Sequence, residues 1–453
     1  MPFLSEFRYV DGFWLALPSF FQQRSQRLHT HASHSTYVFA GVLVWMGLVR
    51  ALRWRRYNAI HRKYLRKWNN GKGTITPEEA QEITSVGAAY DMPLLLNYAL
   101  AFALFKTYAI PSISTLLNKT KQLSSTENIS KRYADTELLI ATYFFCPISG
   151  YVNPSMYGDD PKSSSMDDPR AMIALARTNY LHSKYQISNN DFLYTLCLFA
   201  LEPNTWAGRW GWRALSPLER HAYYVFWAEI GRRMDIKDIP DSFESLSAWS
   251  KASRALGYLF LATQSNHDLA GFTLEELLSA VPEFGGLKSF ARRLAICAMD
   301  DIVREAMMYP KQPWLLRTVV WWSLYSVGVF QRWFLLPRGF PSTPVNVTQN
   351  FKTGGGCPRL HPNKWAARPW YRPEPTTSFG YFTEKLLVKL GWYSEMPSSM
   401  VRKPLKMRAM RRLCERHPNS KVIQFWDLGH WKEEKEYTNE PSMRRCQSMI
   451  PYE

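Results

Sequence analysis

The chain has 453 residues, 46% of them hydrophobic and 15% aromatic, with 56 Lys and Arg against 38 Asp and Glu for a formal charge of +18. That much apolar material excludes a disordered chain and is enough for a large core or an apolar ligand cavity. The charge would suit nucleic acid, but no nucleic-acid-binding module occurs, so nucleic acid is not expected as a partner; the anionic cytoplasmic face of a membrane, worth about 1 kcal/mol per nearby basic residue, suits the charge equally.

Residues 1–34 end in HTHASH (His29, His31, His34), which has no carboxylate or cysteine beside it and reads as a solvated flank. Thr36–Val49, TYVFAGVLVWMGLV, is a run of fourteen residues without a charge. As a helix it covers about 21 Å, short of a hydrocarbon core of about 30 Å. Recruiting Ser35, Ala51 and Leu52 and letting Arg50 snorkel closes part of the gap, so residues 35–52 are expected to be a membrane anchor. Basic residues follow the run (Arg50, Arg53, Arg55, Arg56, Arg62, Lys63, Arg66, Lys67), whereas only Arg24 and Arg27 precede it closely. By the positive-inside rule this is a single-pass protein with a luminal N-terminus and a cytosolic body.

Residues 53–337 form that body, and from Thr76 to about Leu316 apolar positions recur at spacings of three and four, the helical period. TPEEAQEI sets Thr76 as N-cap, Pro77 at the first helical position and Glu79 at the third. Helices are expected over Met92–Tyr108 and Lys131–Phe145, then from Asp168–Pro169 onward. Another starts at Ser188 or Asn189 and ends before Pro203. The last set covers Pro217–Met234, Ser242–Ala262, Thr273–Val281 and Leu287–Met308. Thr318–Leu336 is a second apolar run, but Gln331 and Arg332 fall inside the length a span needs, which favours a buried or membrane-grazing helix. Residues 338–453 are Pro- and Gly-rich, then basic, and read as an extended arm with a docking helix at PLKMRAMRRLCERH.

The six cysteines (Cys146, Cys197, Cys297, Cys357, Cys414, Cys446) include no CxxC pair, so a zinc site is not indicated and a reduced, cytosol-facing body is. The sequons at Asn118, Asn128 and Asn346 would be glycosylation sites only in a luminal body. FKTGGGCPRL resembles the cysteine loop of thiolate-haem monooxygenases at Phe351 and Gly354. Cys357, however, arrives one residue early, and Arg359 stands where a glycine is required.

The helix after Pro169 carries ARTNYLHSKY. At 100° per residue Ala171, Leu175, Thr178, Asn179, His182 and Tyr185 share one arc, while Arg170, Arg177 and Lys184 lie opposite. His182 therefore faces inward. Two readings stay open on these grounds: a core histidine satisfied by its neighbours, or an axial iron ligand. Asn179, on the same arc, is a candidate cofactor contact.

The block ARTNYLHSKY, followed by ISNNDFLYTLCLFALEPNTW and GWRALSPLERHAYYVFWAEIG, resembles the fungal ER-bound oxygenase family of the mycophenolic acid pathway enzyme MpaB. FALFKTYAIPSIS, KRYADTELLIA and REAMMYP extend the likeness from about Ala51 to Pro337. That family is similar to the bacterial rubber oxygenases, the latex-clearing proteins. The resemblance implies an all-α, globin-like body binding haem b, with His182 as the proximal iron ligand. The rubber oxygenases carry an Arg, a Lys three residues on and then a Thr near the distal haem face; the similar spacing here is Arg132, Asp135 and Thr136. Asp135 replaces the Lys, so a Lys-capped iron is not expected. Ala101 stands where the family tends to have a Glu, leaving Asp135 and Glu137 as the nearest replacements for a catalytic base.

Together these readings describe an ER-membrane haem-b oxygenase that uses dioxygen on a C=C bond of a lipophilic, prenyl-type substrate. Arg132 and Asp135 are its catalytic candidates, and His182, Arg132, Thr136 and Asn179 contact the cofactor. The alternative is a non-catalytic, membrane-associated helical protein that binds lipid or serves as a scaffold, which Ala101 keeps open.

Overall fold

The structure, a computed structural model, describes residues 34–69, 75–126, 128–150, 168–255, 260–279, 281–347 and 377–390. Among these it is all-α, with fifteen α-helices and no strand. His29, His31, the Cys357 loop, Cys414, Cys446 and the expected basic helix near the tail lie outside the described residues.

Helix α1 (His34–Arg53) is followed almost directly by α2 (Arg55–Asn69). Among the described residues the long α1–α2 unit is the one unbroken helix long and apolar enough to cross a membrane, and little of its apolar stretch is buried in the protein. Helix α3 (Pro77–Ser85) starts with the expected capping box. The Thr76 hydroxyl accepts from the Glu79 N–H at 3.3 Å, and the Glu79 carboxylate accepts from the Thr76 N–H at 2.9 Å. A π-helical turn over Val86–Asp91 then leads into α4 (Pro93–Thr107) with a bend of 114°. The bend falls where Pro93 forces Met92 out of helical geometry, at φ −140°.

Beyond α4 come α5 (Pro111–Thr120), α6 (Ile129–Phe145), α7 (Arg170–His182), α8 (Asn189–Trp210), α9 (Pro217–Arg233), α10 (Phe243–Ala255) and α11 (Gln264–Leu277). A 3₁₀ turn at Phe284–Gly286 precedes α12 (Leu287–Cys297), α13 (Asp301–Ala306), α14 (Trp314–Trp333) and α15 (Ser378–Lys389). The body is built from packed pairs: α4 on α8, α3 on α9, α6 on α7, α8 on α9, and α11 across α5 and α6. Their shared interior is aromatic, with Phe199 stacked on Trp227 at 4.8 Å and Phe144 edge-on to Phe226 at 5.1 Å.

Several expected boundaries move, each for a physical reason. Helix α8 runs through Pro203 instead of stopping before it. The proline costs the backbone hydrogen bond to Phe199, but Phe199, Pro203, Trp206 and Trp210 are all buried, and that packing holds the helix together. Helix α11 starts nine residues before the expected Thr273, because Thr263 caps it by accepting from the Asn266 N–H at 3.4 Å. Its polar first turn has no apolar period to announce it. The expected Leu287–Met308 helix is two, broken where the Asp300 carboxylate is drawn to Lys106 at 2.6 Å. The helix expected over Ser242–Ala262 is described only as far as Ala255. Ten residues assigned to the C-terminal arm, 338–347, run along the body: the Ser342 N–H donates to the Ala89 carbonyl at 2.8 Å, and Val345 is buried. The arm is also not extended throughout, since Thr377 caps α15.

Three buried cations, Arg213, Lys106 and Arg170, are each paired with a carboxylate. Arg213 donates to Asp91 at 2.7 Å and to both Glu219 oxygens at 2.6 Å. Burial alone would lower the guanidinium's pKa, but Glu219 and Asp91 hold it above its ordinary value. Lys106, at the end of α4, donates to Glu202 at 2.7 Å and to Asp300 at 2.6 Å. Arg170 corrects the sequence reading most sharply. It was expected on the outer arc of α7 but is buried, donating to both Asp168 oxygens and to the carbonyls of Asn346 and Val347. Residues 346–347 cover the first turn of α7, something no single-helix projection can anticipate.

Candidate functional site

Helix α7 places His182. Pro169 precedes the helix, the Asp168 carboxylate accepts from the Arg170 N–H at 3.2 Å, and the Ser183 N–H closes the last turn on the Asn179 carbonyl at 2.8 Å. Asn179 is buried, and its amide donates to the Arg233 carbonyl at 2.8 Å, tying the end of α7 to the end of α9. Its side chain is thus engaged in holding the helix. Tyr185, expected on the inner arc, is exposed because the helix ends at His182.

The His182 ring lies 5.4 Å from Phe192, and its Nδ1 is buried with no hydrogen-bond partner. Burial, with a smaller push from the Arg132 charge, lowers its pKa to about 4, so the ring is neutral near pH 7. A neutral imidazole with an unused ring nitrogen costs stability unless something completes it. Arg177 and Lys184 project elsewhere, both over the Tyr180 ring, at 5.5 and 4.4 Å.

Arg132 and Thr136, one turn apart on α6, are brought together. The Arg132 guanidinium donates to the Thr136 hydroxyl, which itself donates to the Arg132 carbonyl at 2.9 Å. Thr136 also lines a cleft of about 40 Å³ between α6 and α4, with Glu137 and Ile140 beside it and Leu100, Ala101 and Leu104 opposite. Thr136 and Ala101 thus face each other across the cleft, while Arg132 reaches His182 by its charge and neither of those two lines it. Asp135 does not line the cleft. At 100° per residue Tyr133, Thr136, Glu137, Ile140 and Phe144 fall on one side of α6, and Asp135 falls on the other. Of the two carboxylates considered as replacements at Ala101, Glu137 is the one that shares its cleft. Two phenols stand close by, Tyr133 in the cleft lining and the buried Tyr108. Burial lifts Tyr108 to about 12 against the opposing Arg132 charge, and burial with Glu137 pushes Tyr133 well above the ordinary tyrosine value. Tyr133 stands in the quoted block KRYADTELL at helical spacing from Thr136 and Glu137, so the signal was present.

A metal held by side chains alone needs about three or four donors, and no group of three His, Cys, Asp or Glu able to hold one occurs among the described residues. A porphyrin brings four nitrogens of its own and asks the protein for one axial donor, which the unused His182 nitrogen fits. The space is tighter than the donor set. At about 40 Å³ the cleft is far below the roughly 300–1,000 Å³ of ordinary ligand sites, so a porphyrin requires it to widen. A larger cavity, about 480 Å³, lies against α14 and is lined by Arg209, Asp300, Asp301, Arg317 and Trp321 among others. It shares no lining residue with the cleft, and its charges are already paired, Arg209 with Asp300 and Arg317 with Asp301, both at 3.3 Å. Its size does not make it the reactive centre.

No family model matches the chain, but individual proteins do. The ER-bound oxygenase mpaB' of Penicillium brevicompactum is 30% identical over 377 residues, covering 79% of this chain and 82% of that protein. The ER-bound oxygenase mpaB of Penicillium roqueforti (strain FM164) is 32% identical over 308 residues, 64% of this chain and 96% of that protein. A third, ER-bound oxygenase mpaB of Penicillium brevicompactum, is 35% identical over 227 residues, 49% of this chain and 53% of that protein. These matches agree with the resemblance read from the ordered blocks around His182, and the chain belongs to the ER-bound oxygenase mpaB family.

Proposed function

We propose that this chain is a haem-b oxygenase of fungal secondary metabolism, anchored in the ER membrane by α1 with its body in the cytosol. It would use dioxygen to oxidise or cleave a C=C bond of a lipophilic, prenyl-type substrate. The observation that carries this reading is the unpartnered, buried Nδ1 of His182 beside the Arg132 charge, in a chain whose relatives are named ER-bound oxygenases.

Haem, when bound, supplies the iron redox chemistry that dioxygen requires. The rest falls to this chain's own groups. His182 offers a ring nitrogen that is neutral at working pH, with Asn179 and Arg233 fixing the helix that carries it. Arg132 brings a permanent positive charge suited to a propionate or to negative charge developing on oxygen, and it orients the Thr136 hydroxyl. Leu100, Leu104 and Ile140 give the cleft apolar walls, which would suit a hydrocarbon chain once it widens. With Ala101 unable to take a proton, Glu137, which lines the same cleft, would be the group to accept one.

The test is the absorption spectrum of the full chain purified after expression with ample haem. A Soret band is expected, and it should be lost in His182→Ala. No band in the wild-type protein would end the haem reading, while unchanged axial ligation in the variant would remove His182 from the site.

A further inference from the structure

Helix α14 was expected to be buried or to graze a membrane, and burial is not what the structure shows. Along its outer side Trp314 is 75% exposed, Val327 64%, Trp322 55% and Val319 51%, and Leu315 and Phe330 are exposed with them. A soluble surface rarely leaves so many large apolar groups contiguous. The opposite side is seated firmly. At Gly328 a Cβ would lie 2.4 Å from the Trp210 carbonyl, and Gln331 donates to the Asp91 carbonyl at 2.9 Å. One face of α14 is therefore fixed to the body, while the other has no protein cover among the described residues.

Three observations identify what covers that face. The first is continuity with α1. The Trp45 indole donates to the Phe334 carbonyl at 2.8 Å, Arg53 donates to the Leu335 carbonyl, and Arg56 donates to the carbonyls of Arg338 at 2.6 Å and Gly339 at 3.0 Å. The C-terminal end of α14 is thus tied to the stretch where α1 passes from its apolar run into its basic exit. The second is composition: α14 holds Trp314, Trp321, Trp322, Tyr325 and Trp333, the ring types that settle at the boundary between hydrocarbon and headgroups. The third is charge, since neither α1 nor α14 contains an Asp or Glu, while Arg53, Arg56 and Arg338 meet at their junction and Arg50 and Arg332 flank it in sequence.

We infer that α14 is a second, non-spanning membrane element: a helix lying in the cytosolic interface of the bilayer, outer face in lipid and inner face on the body. It is not a span, because its aromatic and polar content leaves it outside the helices apolar enough to cross. Together with α1 it fixes how the body faces the membrane, and it brings the 480 Å³ cavity, which Thr318, Trp321 and Trp322 help to line, next to the bilayer surface. This rests on the reading of α1 as the anchor, so the experiment separates the two.

The full-length chain is reconstituted in vesicles of phosphatidylcholine, phosphatidylethanolamine and phosphatidylserine, with a benzophenone amino acid in place of Val319, Val327 or, on α1, Val44. Each site is exposed to the bulk of the side chain, so folding tolerates it. After illumination, mass spectrometry should find phospholipid adducts at all three. Lipid adducts at Val44 with none at Val319 and Val327 would overturn the α14 inference and leave the anchor standing. Adducts at Val319 and Val327 with none at Val44 would uphold α14 as a membrane element and overturn the anchor reading instead.

Discussion

With its Nδ1 buried and unpartnered, His182 makes the haem-free protein sensitive to acid in a way that can be calculated. Its ordinary pKa of 6.5 falls to about 4 in the fold, so between those values the unfolded chain binds a proton that the folded chain does not. Stability therefore rises with pH across this window and falls as the solution is acidified. With one pKa unit worth about 1.4 kcal/mol, lowering the pH from 7 to 5 removes about 2 kcal/mol through this residue alone. His182→Gln keeps a planar polar side chain but removes the titration. Denaturant unfolding of haem-free wild type and variant, followed by tryptophan fluorescence at both pH values, isolates the term. Burial also lowers the His221 pKa, but His221 is present in both proteins and its contribution cancels in the difference. The wild type should lose about 2 kcal/mol more than the variant. Equal losses would mean that the imidazole is not held neutral, and the reasoning about its environment would fail.

Arg213→Met strands Asp91 and Glu219 in the interior without their cation and should cost about 3–5 kcal/mol, read as a large drop in melting temperature; a variant as stable as wild type would show that the cluster opens to water. Gly328→Ala places a methyl group 2.4 Å from the Trp210 carbonyl, so α14 must lift from α8. About 1–3 kcal/mol of destabilisation is expected in the same unfolding assay, and an unchanged midpoint would refute the close crossing.

Features that depend on neighbours in sequence were legible without the structure. Thr76, Pro77 and Glu79 lie within four residues of one another, and the capping box they predict is present. The inward turn of His182 likewise follows from the period of α7. Features that depend on distant segments were not legible. Arg170 is covered by residues 346–347, and Pro203 is carried inside α8 by the packing of Phe199, Trp206 and Trp210. At the site, the choice between Asp135 and Glu137 could have been made from the spacing Tyr133, Thr136, Glu137, Ile140. That α4 would form the opposite wall of the cleft could not. The apolar run of α14 could be seen as apolar, but which of its faces meets the body depends on Gly328 meeting the end of α8.

The two buried ion clusters described for the core bear on how the cleft can widen. Asp91, just before α4, is held by Arg213, and Lys106, in the last turn of α4, is held by Glu202 and Asp300. That helix is a beam clamped at both ends, with Leu100, Ala101 and Leu104 along its middle. Its displacement would pull buried charges apart, so α4 is a fixed wall of the cleft and holds Ala101 in place. The facing wall, α6, carries Thr136 and Glu137 and packs on α7, whose ends are held in turn by Asn179 on Arg233 and by Arg170 on residues 346–347.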